Sequence, residues 1–167
     1  KENIFETIDI QEVETISLDK AVEKFDLPNP DFIKIDVQGL SYEVLEGGKN
    51  IVNDSVLGIE IEVEFLESYK GQKTFGYIHE YLYELGFEIF SLKNLNKWYY
   101  RTENELKFKN GQHTFCDFVY FRNLDSISSC PEFWNPKQAA KMIQLLLLFD
   151  LNDSACAYAE KFMSKKI

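Results

Sequence analysis

Two short stretches of the chain hold residue types that could do chemistry together. The first is Lys34-Ile35-Asp36-Val37-Gln38-Gly39. An Asp that closes an apolar strand, with a Gly just ahead of a helix, stands where open α/β sheets bind ligands, at the carboxyl ends of the strands. The glycine lets the backbone come close to a bound molecule, and a helix start offers free N–H groups. Asp36 and Gln38 would equally serve turn and cap hydrogen bonds, so these residues alone leave both readings open. The second stretch is Ile59-Glu60-Ile61-Glu62-Val63-Glu64-Phe65. Side chains alternate faces along a strand, which puts the glutamates on one side. Adjacent carboxylates on a covered face would need hydrogen bonds, protons or a metal ion. On an uncovered face they are ordinary inside–outside alternation, and the pattern alone favours that reading.

Other chemistries find no support. His79 sits on a helical stretch among Tyr77, Tyr81 and Tyr83, and His113 precedes a strand; neither belongs to a zinc-binding spacing. The chain has no GxSxG elbow and no Walker loop. Cys116, Cys130 and Cys156 are odd in number and lack CxxC spacing, which points to reduced, buried thiols rather than a disulfide frame or a zinc site. No resident metal is expected.

The 167 residues carry 18 basic and 28 acidic side chains, a formal charge of −10. That balance argues against a surface that tracks nucleic-acid phosphates. A hydrophobic share of 45%, with 14 Phe and 9 Tyr, rules out disorder and gives one domain a core of ordinary size. The longest apolar run, Leu145 to Phe149, is far short of the ~18 residues of a membrane span. No basic-then-apolar leader opens the chain, and a cytoplasmic location is expected.

The elements that must position the two stretches alternate short apolar runs with helical periodicity, the signature of an α/β layer fold. Strands are expected at 13–16, 32–37, 56–65, 87–92 and 115–121, with a short one near 98–100. Ser17 caps a helix whose Leu18, Ala21, Val22 and Phe25 share a face. A helix over 41–46 ends at Gly47-Gly48 and has a possible continuation through Ile51 and Val52. Another spans 74–85, with Phe75, Ile78, Leu82 and Leu85 inward. Residues 101–114 read as a polar loop. Helices follow at 137–149 and 153–163, and the run from Leu145 to Phe149 is expected to pack as core. Strand chemistry ends near Asn123, which suggests a division into 1–122 and a helical extension, 123–167.

Several of these pieces, taken in order, resemble one family. Ser17-Leu18-Asp19, Asp31-Phe32-Ile33-Lys34-Ile35-Asp36-Val37-Gln38-Gly39, and Glu43-Val44-Leu45-Glu46-Gly47-Gly48 are similar to the central block of the FkbM-type methyltransferases. The likeness continues through residues 59–65, Tyr69-Lys70-Gly71-Gln72, 85–90 and 116–122. It implies an α/β, Rossmann-like class I methyltransferase with a mixed sheet, using S-adenosylmethionine to methylate a hydroxyl of a small-molecule or carbohydrate acceptor. The implied strand order is 3-2-1-4-5-7-6, with strand 7 antiparallel. Strands 3 to 7 would be residues 13–16, 32–37, 56–65, 87–92 and 115–122. Asp36, Gln38 and Gly39 would stand beside the methionine end of the cofactor. Glu62 would be the acceptor-side carboxylate, with Glu60 and Glu64 as companions and Asp36 and Glu62 as the catalytic pair. An acceptor hydroxyl is a poor acid, so a carboxylate base must help, or else a bound divalent ion, which Asp36 with Glu62 could hold.

Two departures from the pattern shape the expectation. Ser41 stands where the family usually has Glu. The glycine-rich cofactor loop and the acidic residue that holds the ribose should precede residue 13, and residues 1–12 contain no glycine. The chain therefore reads as the C-terminal half of the enzyme, inactive alone. The alternative is a non-catalytic α/β interaction module without the cofactor half. Without strand 1, residues 32–37 would form an open sheet edge. Residues 13–16, or the same edge of a second copy in a homodimer, are expected to cover it.

Overall fold

The structure, a computed structural model, describes residues 9–99 and 111–164. Ser17 accepts a hydrogen bond from the Lys20 N–H and caps α1 (Leu18–Phe25). β1 (Phe32–Ile35) follows the proline-containing turn. The helical stretch after Gly39 is two helices, α2 (Ser41–Gly47) and α3 (Lys49–Asp54). The joint exists because α1 crosses it closely. A Cβ on Gly48 would lie 2.8 Å from Leu18 Cδ2, and one on Gly47 would lie 3.2 Å from Ser17 Cβ. Asp19 completes the joint by accepting from the N–H groups of Asn50 and Ile51 at 3.2 and 3.0 Å, capping α3. The Ser-Leu-Asp and Gly-Gly motifs thus form one structural unit.

β2 (Gly58–Glu64), α4 (Phe75–Glu84) and β3 (Phe87–Lys93) come next. A small hairpin pairs β4 (Lys97–Trp98) with β5 (Gln112–His113). β6 (Phe115–Arg122) then runs between β2 and β3, giving a four-stranded sheet in the order β1-β2-β6-β3. β1 and β2 are parallel, and β6 is antiparallel to both of its neighbours. The short α5 (Ser126–Ser129), α6 (Pro136–Leu148) and α7 (Asn152–Ser164) end the described chain. Asn135 caps α6 by accepting from Lys137 and Gln138.

The two faces of the sheet are buried differently. One carries Ile35, Ile59, Ile61, Val63, Cys116, Phe118 and Tyr120, and packs on α1 to α4 through Leu45, Val52, Ile78 and Leu82. The other is split. Its half at the amino ends of β1 and β2 is sealed by α6 and α7, with Val119, Phe121, Met142, Leu146 and Tyr158 in a second core. Gly58 makes room there, since a Cβ on it would strike the Phe121 ring at 2.5 Å. The half at the carboxyl ends holds the glutamates of β2.

Several expectations are corrected. Residues 13–16 form no strand, and Val13 is 76% exposed. Ser17 is held against Gly47 on the helical side of the sheet, so the segment leading into it does not reach the edge of β1. No strand among the described residues lies on that edge. Phe25 is exposed because α1 stops beside it. The thiols are free, but only Cys116 is buried; Cys130 and Cys156 are exposed. The apolar run in α6 divides: Leu146 is core, while Leu147 and Leu148 face out. Of the polar loop expected at 101–114, Gln112 and His113 instead pair with β4 as β5, while 101–110 lie outside the described residues, as does Tyr100 of the short strand expected near 98–100.

Candidate active site

β1 delivers Asp36 to its carboxyl end, and two residues with positive φ then turn the chain into α2: Gln38 at 51° and Gly39 at 93°. Such values suit glycine and cost a side-chain-bearing residue some strain, on the order of 1 kcal/mol. The turn brings Gln38 back over the strand ends. Its Nε2 donates to Asp36 Oδ1 and to Glu62 Oε1, both at 3.3 Å. Ser41, the first residue of α2, is buried and donates to the Glu62 carbonyl oxygen at 3.0 Å. The serine that stands in place of the expected Glu fastens the helix start to β2. The expected trio Asp36, Gln38 and Glu62 therefore does come together, beside Gly39.

The three glutamates of β2 share a face as expected, but their environments differ. Glu60 is bracketed by Lys34 at 2.9 Å and Lys93 at 2.8 Å. The Lys93 hydrogen bond, followed by that of Lys34, holds its carboxyl below the usual range despite partial burial. It is a neutralised, structural charge. Glu62 has no cation to itself. Loss of hydration, then the charges of Asp36, Glu64 and Asp117, push its carboxyl above the usual range. Glu64 is 5% exposed, and burial raises its carboxyl as well, opposed by the nearby Gln72 amide. Its Oε2 has no hydrogen-bond partner among the described residues. The reading of this face as plain solvent-facing alternation fails along β2, where Glu60 and Glu62 are partly buried and Glu64 is buried.

Asp117 is the residue that sequence reasoning missed as a site member. It lies directly across from Glu62 in the β2–β6 register, is buried, and accepts from Asn94 Nδ2 at 2.6 Å. The available signal was an Asp in the middle of an otherwise apolar strand. Asp36, Glu62, Glu64 and Asp117 make this corner strongly negative. It can attract a cationic group and take up a proton at Glu62. Among the described residues no three His, Cys, Asp or Glu side chains converge as a cation site. His79 is absorbed elsewhere, stacked on Phe75 with Nδ1 3.3 Å from the Tyr120 hydroxyl. An open cleft beside α1 and α3, lined by Asp19, Glu23, Glu46 and Asp54, lies apart from this corner.

The family model of the Methyltransferase FkbM domain matches residues 1–89, more than half of the chain. The chain belongs to the FkbM methyltransferase family. No curated protein and no solved structure matches it.

Proposed function

We propose that the chain is the acceptor-side portion of an S-adenosylmethionine-dependent O-methyltransferase acting on a hydroxyl of a sugar or natural-product acceptor. The observation that carries this reading is the meeting of Asp36, Gln38 and Glu62 at the carboxyl ends of two parallel strands in a chain of this family. The sheet order supports it. Read as the last four strands of a class I methyltransferase, β1-β2-β6-β3 is the order 4-5-7-6 with strand 7 reversed. The donor set also fits the cofactor: carboxylates and an amide suit the cationic methionine end, and Gly39 allows close backbone approach.

When bound, S-adenosylmethionine supplies an electrophilic methyl group on a sulfonium. The residues of this chain do the rest. Asp36 and Gln38 hold and orient the cationic end. Glu62 accepts the proton of the acceptor hydroxyl as the oxygen becomes a nucleophile, and lost hydration with the neighbouring carboxylates shifts it toward holding a proton. Alignment contributes the larger share, because in-line displacement rewards held geometry. Two measurements test the reading. An extended polypeptide, the chain with any coding sequence found upstream of it, should transfer labelled methyl groups to a panel of hydroxylated acceptors. The 167-residue chain alone should show no calorimetric binding of S-adenosylmethionine. Micromolar binding by the chain alone, or an extended polypeptide inactive on every acceptor, would overturn it.

A further inference from the structure

Tyr69 lies in the loop after β2 with its ring against Gly39; a Cβ on that glycine would meet the ring Cδ2 at 2.4 Å. The loop holds itself in shape. Gln72 Oε1 accepts from the N–H groups of Ser68 and Tyr69 at 2.9 and 3.1 Å, and Glu67 accepts from Gly71 at 2.5 Å. From this fixed position the Tyr69 hydroxyl donates to Gln38 Oε1 at 3.4 Å. A side-chain amide has one accepting end and one donating end. With the phenol at the oxygen, the nitrogen is left for Asp36 and Glu62. A reversed amide would set its oxygen against both carboxylates, so the network allows one orientation.

We propose that Tyr69 is a positioning residue, whose hydroxyl fixes the Gln38 amide so that a single NH2 group holds Asp36 and Glu62 in one geometry. The inference rests on the reading of Glu62 as the proton acceptor and adds the residue that sets its state. An N–H directed at Glu62 favours its charged form. The other groups facing Glu62 are Asp36 from the end of β1, Lys34 from β1, Glu60 and Glu64 from its own strand, and Asp117 from β6. Lys93 of β3 is committed to Glu60. Replacing Tyr69 with Phe changes none of these charges. It removes the one hydrogen bond at the amide oxygen and so loosens the hold on the NH2 group.

The test is a carbon-detected NMR titration of the Glu62 carboxyl in the 167-residue chain, with no donor or acceptor present. In Tyr69→Phe the carboxyl should release its proton about half a pH unit or more later than in the parent, the size expected of one partly screened hydrogen bond. Gln38→Ala should shift it at least as far, and the double variant no further than Gln38→Ala alone, because the hydroxyl acts through the amide. A Glu62 titration unmoved by Tyr69→Phe, or shifts that add in the double variant, would overturn the proposal. Either result would leave methyl transfer standing. Loss of the methyl-transfer reading would in turn leave this titration unaffected.

Discussion

Arg122 and Glu62 stand toward opposite ends of the same sheet, and both are charges drawn out of water. Arg122 is 5% exposed, yet its donors are met by four carbonyls: Val56 at 2.8 Å, Val52 at 2.8 Å, Asn53 at 2.6 Å and Leu85 at 3.5 Å. The Phe87 and Phe133 rings lie 4.8 and 4.2 Å from its guanidinium carbon. Burial brings its pKa down to about 10, so it stays charged at neutral pH. Glu62 has the reverse surroundings: one amide donor, three carboxylate neighbours, and lysines spent on Glu60. The difference separates two uses of a costly charge. Fully partnered, it locks elements together; short of partners at the strand ends, it is ready to exchange a proton or meet a cation.

The largest effect should come from breaking the lock. Arg122→Met leaves several buried carbonyls without donors, and a loss of roughly 3–5 kcal/mol is expected in urea denaturation. A loss under about 1 kcal/mol would mean that water or neighbours readily replace the guanidinium. At the other end, Glu62→Gln should keep the fold while lowering methyl transfer by the extended polypeptide about 10²–10³-fold. Activity that merely followed the folded fraction would make Glu62 structural too. Tyr158 donates its hydroxyl to the Arg122 carbonyl in the buried seam with α7. Tyr158→Phe should therefore cost about 1–2 kcal/mol in the same denaturation experiment, with activity per folded molecule unchanged.

The smallest effects sharpen the contrast within β2 itself. Glu60→Gln should cost about 1 kcal/mol or less, because its ion pairs are partly exposed, and should leave turnover within a few-fold. The pH dependence should run in opposite directions for the two kinds of glutamate. Glu62 and Glu64 hold their protons above the ordinary 4.5, so the unfolded chain ionises first and stability falls as pH rises from there through the raised values. Glu60, held below 4.5, contributes stability above that value and loses it as pH falls through its lowered one. Urea midpoints across pH should thus decline less steeply above 4.5 in Glu62→Gln than in the parent. Equal slopes would show that Glu62 titrates like a solvent-exposed carboxylate.

Most of the elements were legible in the sequence, because local signals are strong there. Ser17 and the apolar faces of α1 and α4 announce helices by capping and period. β2 announces itself by strict alternation and β6 by its apolar run. The failures share one cause, which is that the deciding partner lies far along the chain. The helix end at Gly47-Gly48 is readable from the glycines, but that Leu18 crosses it and Asp19 caps the next helix is not. The four residues 13–16 have strand-like composition but no neighbouring strand within reach. In the site, the meeting of Asp36 and Glu62 was expected from two adjacent strand ends. Asp117 was not, because only the antiparallel register of β6 sets it against Glu62. The neutralisation of Glu60 likewise needs Lys93 from the far edge of the sheet, across β6.

The ring of Phe149, at the end of α6, bears on how modular the molecule is. It packs on Phe32 and Phe121 with centroids 5.2 and 5.4 Å away, and Lys93 lies 4.5 Å above it. Lys93 is also the cation that holds Glu60. The helical tail therefore helps set where positive charge rests beside the acidic corner. A chain cut after Arg122 would bare Phe32, Val119 and Phe121 and release Lys93 from its aromatic seat. Charge could then move toward Glu62, and the corner would change character with none of its own residues altered. In any exchange of parts between relatives, the sheet and this tail travel as one inheritance.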